Sequence, residues 1–300
     1  KYNLVFPPRR QNMKKYKIIV DSSCDMPVDL YASLDVSVTD LIINFNEREY
    51  IDRKEISPKE ILKIYDETKV FPKTSALNVA EIEEYLQKGL KEAEHLFYLP
   101  ISSQISSINN NAHLAVEDLN LKDKVTVLDS ASLSSGIALE VIGLVEDIKK
   151  DLPLEDIIHN HEERVNKISM SFVIDTMEFL HKGGRCSGLT YLIGNKLHLH
   201  PIIALTNGKM SVHTIVRGKD ITKGVEKIIS EFKEEFDKDN IDFSYPIYIP
   251  HVEGEYGVKK IEKDLRELVG TKILIPVDAS GIICCHCGRD TVGLAYMKKK

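Results

Sequence analysis

The sequence predicts an α/β protein made of two α/β domains. Three observations carry that expectation. Strand-like apolar runs alternate with helical patterns along nearly the whole chain. Four of the early runs end in hydroxyl-rich clusters that open helical patterns, as expected at the carboxyl ends of parallel strands. After about residue 165 the style changes to hairpins and longer helices.

Taken in order, residues 1–12 are polar, basic and Pro-rich, and read as an upstream or artificially added extension before Met13. The first domain is expected over 13–165. Its strands are placed at 16–20, 36–45, 95–100 and 124–129, where the runs are apolar or alternate with period two. Its helices are placed at 57–67, 79–94, 104–119, 133–150 and 153–167. The helix from 79 shows an apolar face at Val79, Ile82, Leu86 and Leu90, and Asn78 with Glu81 forms a capping box at its start. Residues 39–52 read as a hairpin with a polar tip. The second domain is expected over 166–300, with strands at 169–175, 197–204, 210–216, 245–250 and 271–277 and helices at 219–237 and 254–269. Asn207-Gly208 is the strongest hairpin signal in the chain.

Composition excludes several classes of function. Hydrophobic residues at 43% and charged residues at 29% suit a packed globular chain rather than a disordered one. A formal charge of -6 disfavours nucleic acid as a partner. No apolar run approaches the roughly 20 residues of a membrane-spanning helix. Five cysteines, three of them within 284–287, form no disulfide framework and point to a reducing cytoplasm.

The hydroxyl clusters are Asp21–Asp25, Thr74–Asn78, Ser102–Ser107 and Asp129–Gly136. In Asp21-Ser22-Ser23-Cys24-Asp25, an Asp beside a Cys at a strand end could supply a nucleophile, although a turn leading into a helix at Pro27 explains it as well. With Asn78 as cap, Thr74 and Ser75 are free to face a ligand. Not all of Ser102, Ser103, Ser106 and Ser107 can cap one helix, which leaves some of them for the same use. His181-Lys182-Gly183-Gly184-Arg185 is a Gly-Gly turn between a short helix and a helix start; it lacks phosphate-loop spacing, and Arg185 projects from it. Cys284 and Cys287 have metal-site spacing but no second pair, so they read as small buried apolar residues, with His286 the polar group beside them. His198 and His200 share a strand face without an evident carboxylate partner, and read as packing. No Ser-His-Asp order or nucleophile elbow is present.

In this order and spacing, DSSCD, FPKTSALN, ISSQISS, VLDSASLSSG, FLHKGGRCSG, LHLHPIIALTNGK and HCGRDTVGL resemble the DegV family from Met13 almost to the last residue. The resemblance implies two α/β domains with a long-chain fatty acid in a tunnel between them. It implies a carrier that is not an enzyme and needs no cofactor or metal. Its best understood members present the acid to a fatty acid kinase, which makes the acyl phosphate used in phospholipid metabolism. Carried over by motif, Thr74 and Ser106 hold the carboxylate, Ser75 and Ser103 are their neighbours, His286 lies close to it, and Arg185 contacts the kinase. Where the family usually reads His-x-Gly-Pro-Gly, this chain has His286-Cys287-Gly288-Arg289-Asp290. Burying about 15 methylenes supplies on the order of 12 kcal/mol before ordering costs, so neutral hydroxyls and a His suffice at the head. The alternative is a stand-alone hydrolase or phosphotransferase using Asp21 or Cys24.

Overall fold

A computed structural model of the chain describes residues 13–185, 198–270 and 273–300. The first sheet is wholly parallel. β1 (Lys14–Asp21) lies between β2 (Val36–Thr39) and β6 (Ala93–Leu99), with β7 (Val125–Val127) beyond β6. The two central strands, β1 from Ile18 and β6, are buried almost throughout, as parallel strands covered on both faces must be. Around it lie α1 (Val28–Ser33), α3 (Val79–Gly89), α4 (Ile108–Asp118), α5 (Ser135–Lys149) and α6 (Leu154–Val165).

A three-stranded antiparallel sheet branches from this unit. The expected hairpin is β3 (Ile42–Phe45) with β4 (Arg48–Ile51), and β5 (Lys73–Ser75) pairs with the other edge of β3. The single strand expected over 36–45 is therefore two. Thr39 still pairs in the parallel sheet, whereas Ile42 pairs with Ile51 and Ser75. Between β4 and β5, α2 (Pro58–Thr68) starts with a reciprocal capping box of Ser57 and Glu60.

The second sheet runs in the order β10-β9-β8-β13-β11-β12. Its strands are β8 (Ile168–Val173), β9 (Leu199–Thr206), β10 (Lys209–Arg217), β11 (Ile247–Val252), β12 (Leu274–Asp278) and β13 (Thr291–Met297). Asn207 and Gly208, both at positive φ, make the expected turn between β9 and β10. α8 (Thr222–Asp237) and α9 (Glu255–Val269) bury apolar stripes on one face, around Val225, Phe232, Ile261 and Leu265.

The other face packs against α5. Eleven of the fifteen residues of α5 are buried, and it touches β8, β11 and β13 while also belonging to the core of the parallel unit. A helix buried nearly all round has no solvent face, and this one joins the two halves.

Two expectations need correction here. The helix placed from 104 starts at Ile108, because Ser102 accepts the Gln104 amide on its side chain and the Ile105 and Ser106 amides on its carbonyl. The helix placed over 79–94 ends at Gly89, where a Cβ would lie 2.9 Å from Leu96. The short helix α7 (Glu178–Gly183) stands where one is read before the Gly-Gly turn, whereas the short helix α10 (Gly281–Cys287), β5 and β13 were not expected from the sequence.

Candidate functional site

α10 inserts its carboxyl end between the three-stranded sheet and α7. On β5 the pleat turns Thr74 inward and leaves Lys73 and Ser75 exposed. Thr74 Oγ1 meets His286 Nε2 at 2.9 Å, across 212 residues of sequence. The other ring nitrogen, Nδ1, is buried and makes no hydrogen bond. Gly183 explains that enclosure, since a Cβ there would stand 2.2 Å from Nδ1. Gly184 follows at positive φ, so the Gly-Gly pair lets the turn lie against the imidazole.

This pair lies in the wall of a cleft that encloses about 580 Å³ of unfilled space, including its open mouth. Ser106, Ser75 and Arg185 also line it, and the rest of the wall is largely apolar, with Leu41, Ile101, Ile105, Leu180 and Ile283. Adjoining it is a second, narrower and largely apolar space of about 260 Å³, open solvent included, against Met170, Phe172 and Gly293. Leu133, Ile283 and Cys287 border both spaces. The β9–β10 hairpin reaches the same region, where Ser102 Oγ donates to the Gly208 carbonyl and Met210 adds to the wall.

Five of the six site residues read from the sequence therefore meet at one cleft: Thr74, Ser75, Ser106, Arg185 and His286. Ser75 sits at the rim, its Oγ accepting from Asn44 Nδ2. Ser106 Oγ accepts the Ile108 amide. Arg185 is exposed and donates to the Gly183 carbonyl at 2.6 Å. Ser103 is not brought there. It is exposed, and both its amide and its hydroxyl donate to the Asp129 carboxylate. Gly183, Leu133 and Met210 were missed; only the Gly-Gly pair carried a signal, and that signal reported a turn rather than contact with His286.

Burial, reinforced by the Arg185 charge, pushes the His286 pKa down to about 4, so the ring is neutral at pH 7. Protonation of the unfolded chain then opposes folding as the pH falls from 6.5 toward 4, and the stability tied to the neutral ring is complete above 6.5. The expected loss is about 3 kcal/mol. Urea unfolding of wild type and His286→Gln at pH 7 and pH 4 checks this: the wild type should lose that much more than the variant, and parallel losses would refute it.

Asp21 and Cys24 lie elsewhere and are fully buried. Desolvation raises the Cys24 thiol well above its usual range, and Asp21 is occupied by the Ser23 amide and hydroxyl and by the Ile101 amide. A nucleophile at either position has no open space for a substrate. Cys284 and Cys285 are likewise buried, with thiol pKa values pushed up. Among the described residues no group of three or more His, Cys, Asp and Glu side chains could hold a metal ion, and no helix is long and apolar enough to cross a membrane. His198 lies just before β9 at positive φ, while His200 is buried within the strand beside Asp175 at 3.4 Å.

The charged pair in place of a Pro-Gly turn has a defined role. Arg289 Nη2 reaches Asp66 of α2 at 2.9 Å and Nε reaches Glu253 after β11 at 2.8 Å, so one guanidinium links the two halves. Gly288, at positive φ, fits against the Phe179 ring. Phe179 stacks with Tyr65 and Phe71 at 4.7 and 5.2 Å, fixing α7 to α2 and to the approach to β5.

Comparison with known proteins places these features in context. A family model described as "Uncharacterised protein, DegV family" matches residues 15–299. A DegV domain-containing protein of Caldanaerobacter subterraneus is 27% identical over 288 residues, 96% of this chain and all of the relative. One of Clostridium acetobutylicum is 29% identical over 223 residues, 74% of this chain and 79% of the relative. Among solved structures, a DegV family protein from Thermus thermophilus, described by its fatty acid binding, superposes with a TM-score of 0.85 at 27% identity. That match covers 94% of this chain and 99% of the other. A Thermotoga maritima protein described as revealing fatty acid binding function gives 0.79 at 25% identity, covering 95% and 99%.

Proposed function

This chain belongs to the DegV family, and from that premise we propose that it binds a long-chain fatty acid with the carboxylate at Thr74, Ser106 and His286. The observation that carries this reading is the Thr74–His286 pair set in an otherwise largely apolar cleft with a second apolar space behind it. The relatives of known structure described as binding fatty acids support it. The Thr74 hydroxyl turns from the His286 ring to donate to a carboxylate oxygen, and Ser106 serves the other oxygen. The tail enters the second space as Leu133 and Ile283 part.

The carboxylate, held at the open end, is then presented to a fatty acid kinase. That enzyme transfers a phosphoryl group to one carboxylate oxygen, giving acyl phosphate for phospholipid metabolism in the cytoplasm. This chain supplies binding and orientation, and the exposed Arg185 is the kinase contact. The carrier role fits the burial of Asp21 and Cys24, which leaves neither free to act as a nucleophile.

The test is to strip the purified protein of lipid and measure stearate binding by calorimetry. Thr74→Ala with Ser106→Ala is expected to cost on the order of 3 kcal/mol, because two hydrogen bonds to a charged oxygen are lost. Arg185→Ala should keep stearate affinity while lowering kinase turnover. A wild-type protein that takes up no acyl chain would end the reading. Unchanged turnover with Arg185→Ala would remove the kinase contact alone.

A further inference from the structure

The Asp21–Asp25 cluster lines no part of the cleft, yet it is buried at every position and its bonds reach three segments that build the cleft wall. Asp21 accepts the amide of Ile101 at 2.7 Å. Asp25 accepts the hydroxyl of Ser134, next to Leu133, and the amide of Ser280 at 2.9 Å. Ser22 donates to Asp52 at 2.7 Å, and Asp52 in turn accepts the amide of Gly281 at 2.9 Å. Arg53 closes the network on Asp25 and on the carbonyls of Ser22 and Cys24.

Ser280 and Gly281 begin α10, the helix that carries His286. Seven residues are too few to hold a helix by themselves, so its placement depends on what grips its ends. One end is gripped by the carboxylates of Asp25 and Asp52, from a part of the chain more than 225 residues away. The other end presents His286 to Thr74. The grip leaves no slack, because a Cβ on Gly281 would stand 2.6 Å from Asp52 Oδ1 and 2.6 Å from Ile43 Cδ1. Side chains that hold a binding group in place need such a supporting layer.

We propose that Asp52, together with Asp25, is a positioning residue of the carboxylate site: it anchors the first turn of α10 and thereby sets the imidazole of His286 against Thr74. For the ligand this rests on the fatty-acid reading above; for the ring it stands alone.

Two substitutions separate anchoring from general stability. Asp52→Ala removes the acceptor of the Gly281 amide, whereas Asp52→Asn keeps an oxygen for it. The readouts are stearate affinity and the imidazole nitrogen signals of His286 in the ligand-free protein. Asp52→Ala is expected to weaken stearate roughly tenfold and to move the His286 signals, by loosening the support of a binding group. Asp52→Asn should restore both. In a His286→Ala background, Asp52→Ala should no longer matter for affinity. Unmoved ring signals would overturn the proposal, as would an equal loss of affinity with and without His286. If Asp52→Ala does not fold, Gly281→Ala pushes the same turn away from Asp52 and is read by the same criteria. If wild-type protein fails to bind stearate, the fatty-acid reading falls and the ring signals still decide the anchor.

Discussion

Asp25→Ala is expected to lower folding stability by about 3 kcal/mol, the low end of what removing one partner of a buried ion pair costs. Asp25 is fully buried and serves Arg53, the Ser134 hydroxyl and the Ser280 amide together. Burial pushes its carboxyl up to about 6 while Arg53 pulls it down, so the group is still mostly ionised at pH 7. The low end applies because the Arg53 side chain is 26% exposed and regains water when its partner is lost. Ser134 adds a further cost. It holds φ 53 and ψ −132, backbone that a residue with a Cβ adopts only when its surroundings impose it, and its hydroxyl is tied to Asp25. Urea denaturation at pH 7 should show a lower midpoint with an unchanged slope. A loss under about 1 kcal/mol would place Asp25 among ordinary substitutions instead.

The second large effect concerns the tail. Ile283 is buried and borders both the head cleft and the space behind it. Ile283→Trp should fill the passage between them. Stearate and dodecanoate differ by six methylenes, worth about 5 kcal/mol when all are buried. Wild type is expected to favour stearate by something approaching that margin, and the variant should bind the two acids almost equally. Calorimetry with both acids on both proteins decides it. A preference that survives the substitution would route the tail elsewhere.

Local signals in the sequence were reliable where local chemistry decides the outcome. Asn78 and Glu81 form the expected capping box, and Asn207-Gly208 turns the expected hairpin. They failed where the outcome depends on distant partners. The hairpin read over 39–52 accounts for β3 and β4, but nothing in residues 36–45 shows that the strand ending at Thr39 belongs to a different sheet. The change is set by pairing with β1 on one side and with β4 and β5 on the other. The segment Ile282-Ile283-Cys284-Cys285 has no helical stripe to read because it is buried all round, so α10 was invisible.

The site shows the same division. Ser103 and Ser106 look alike in a run of hydroxyls, and the residue that separates them, Asp129, lies 26 positions further on. His286 was singled out as a polar residue among cysteines, and the family motif gave it a role. Its partner Thr74 came from a separate motif, FPKTSALN, where Asn78 caps the helix and leaves Thr74 free. That Gly183 must be bare to admit the ring was beyond any pattern in the chain.

The strand order of the second sheet also bears on how the protein matures. β13 sits in the middle of the sheet, antiparallel to β8 on one side and β11 on the other, although it follows both in the chain. During synthesis β8 and β11 must wait, their facing edges unpaired, until the ribosome has released residues 291–297. α10 lies immediately before that strand, so the His286 side of the cleft is assembled at nearly the same moment. A nascent chain therefore gains the Thr74–His286 cleft and its completed sheet together. Chaperone demand should be greatest just before that point, when two long edges are exposed at once.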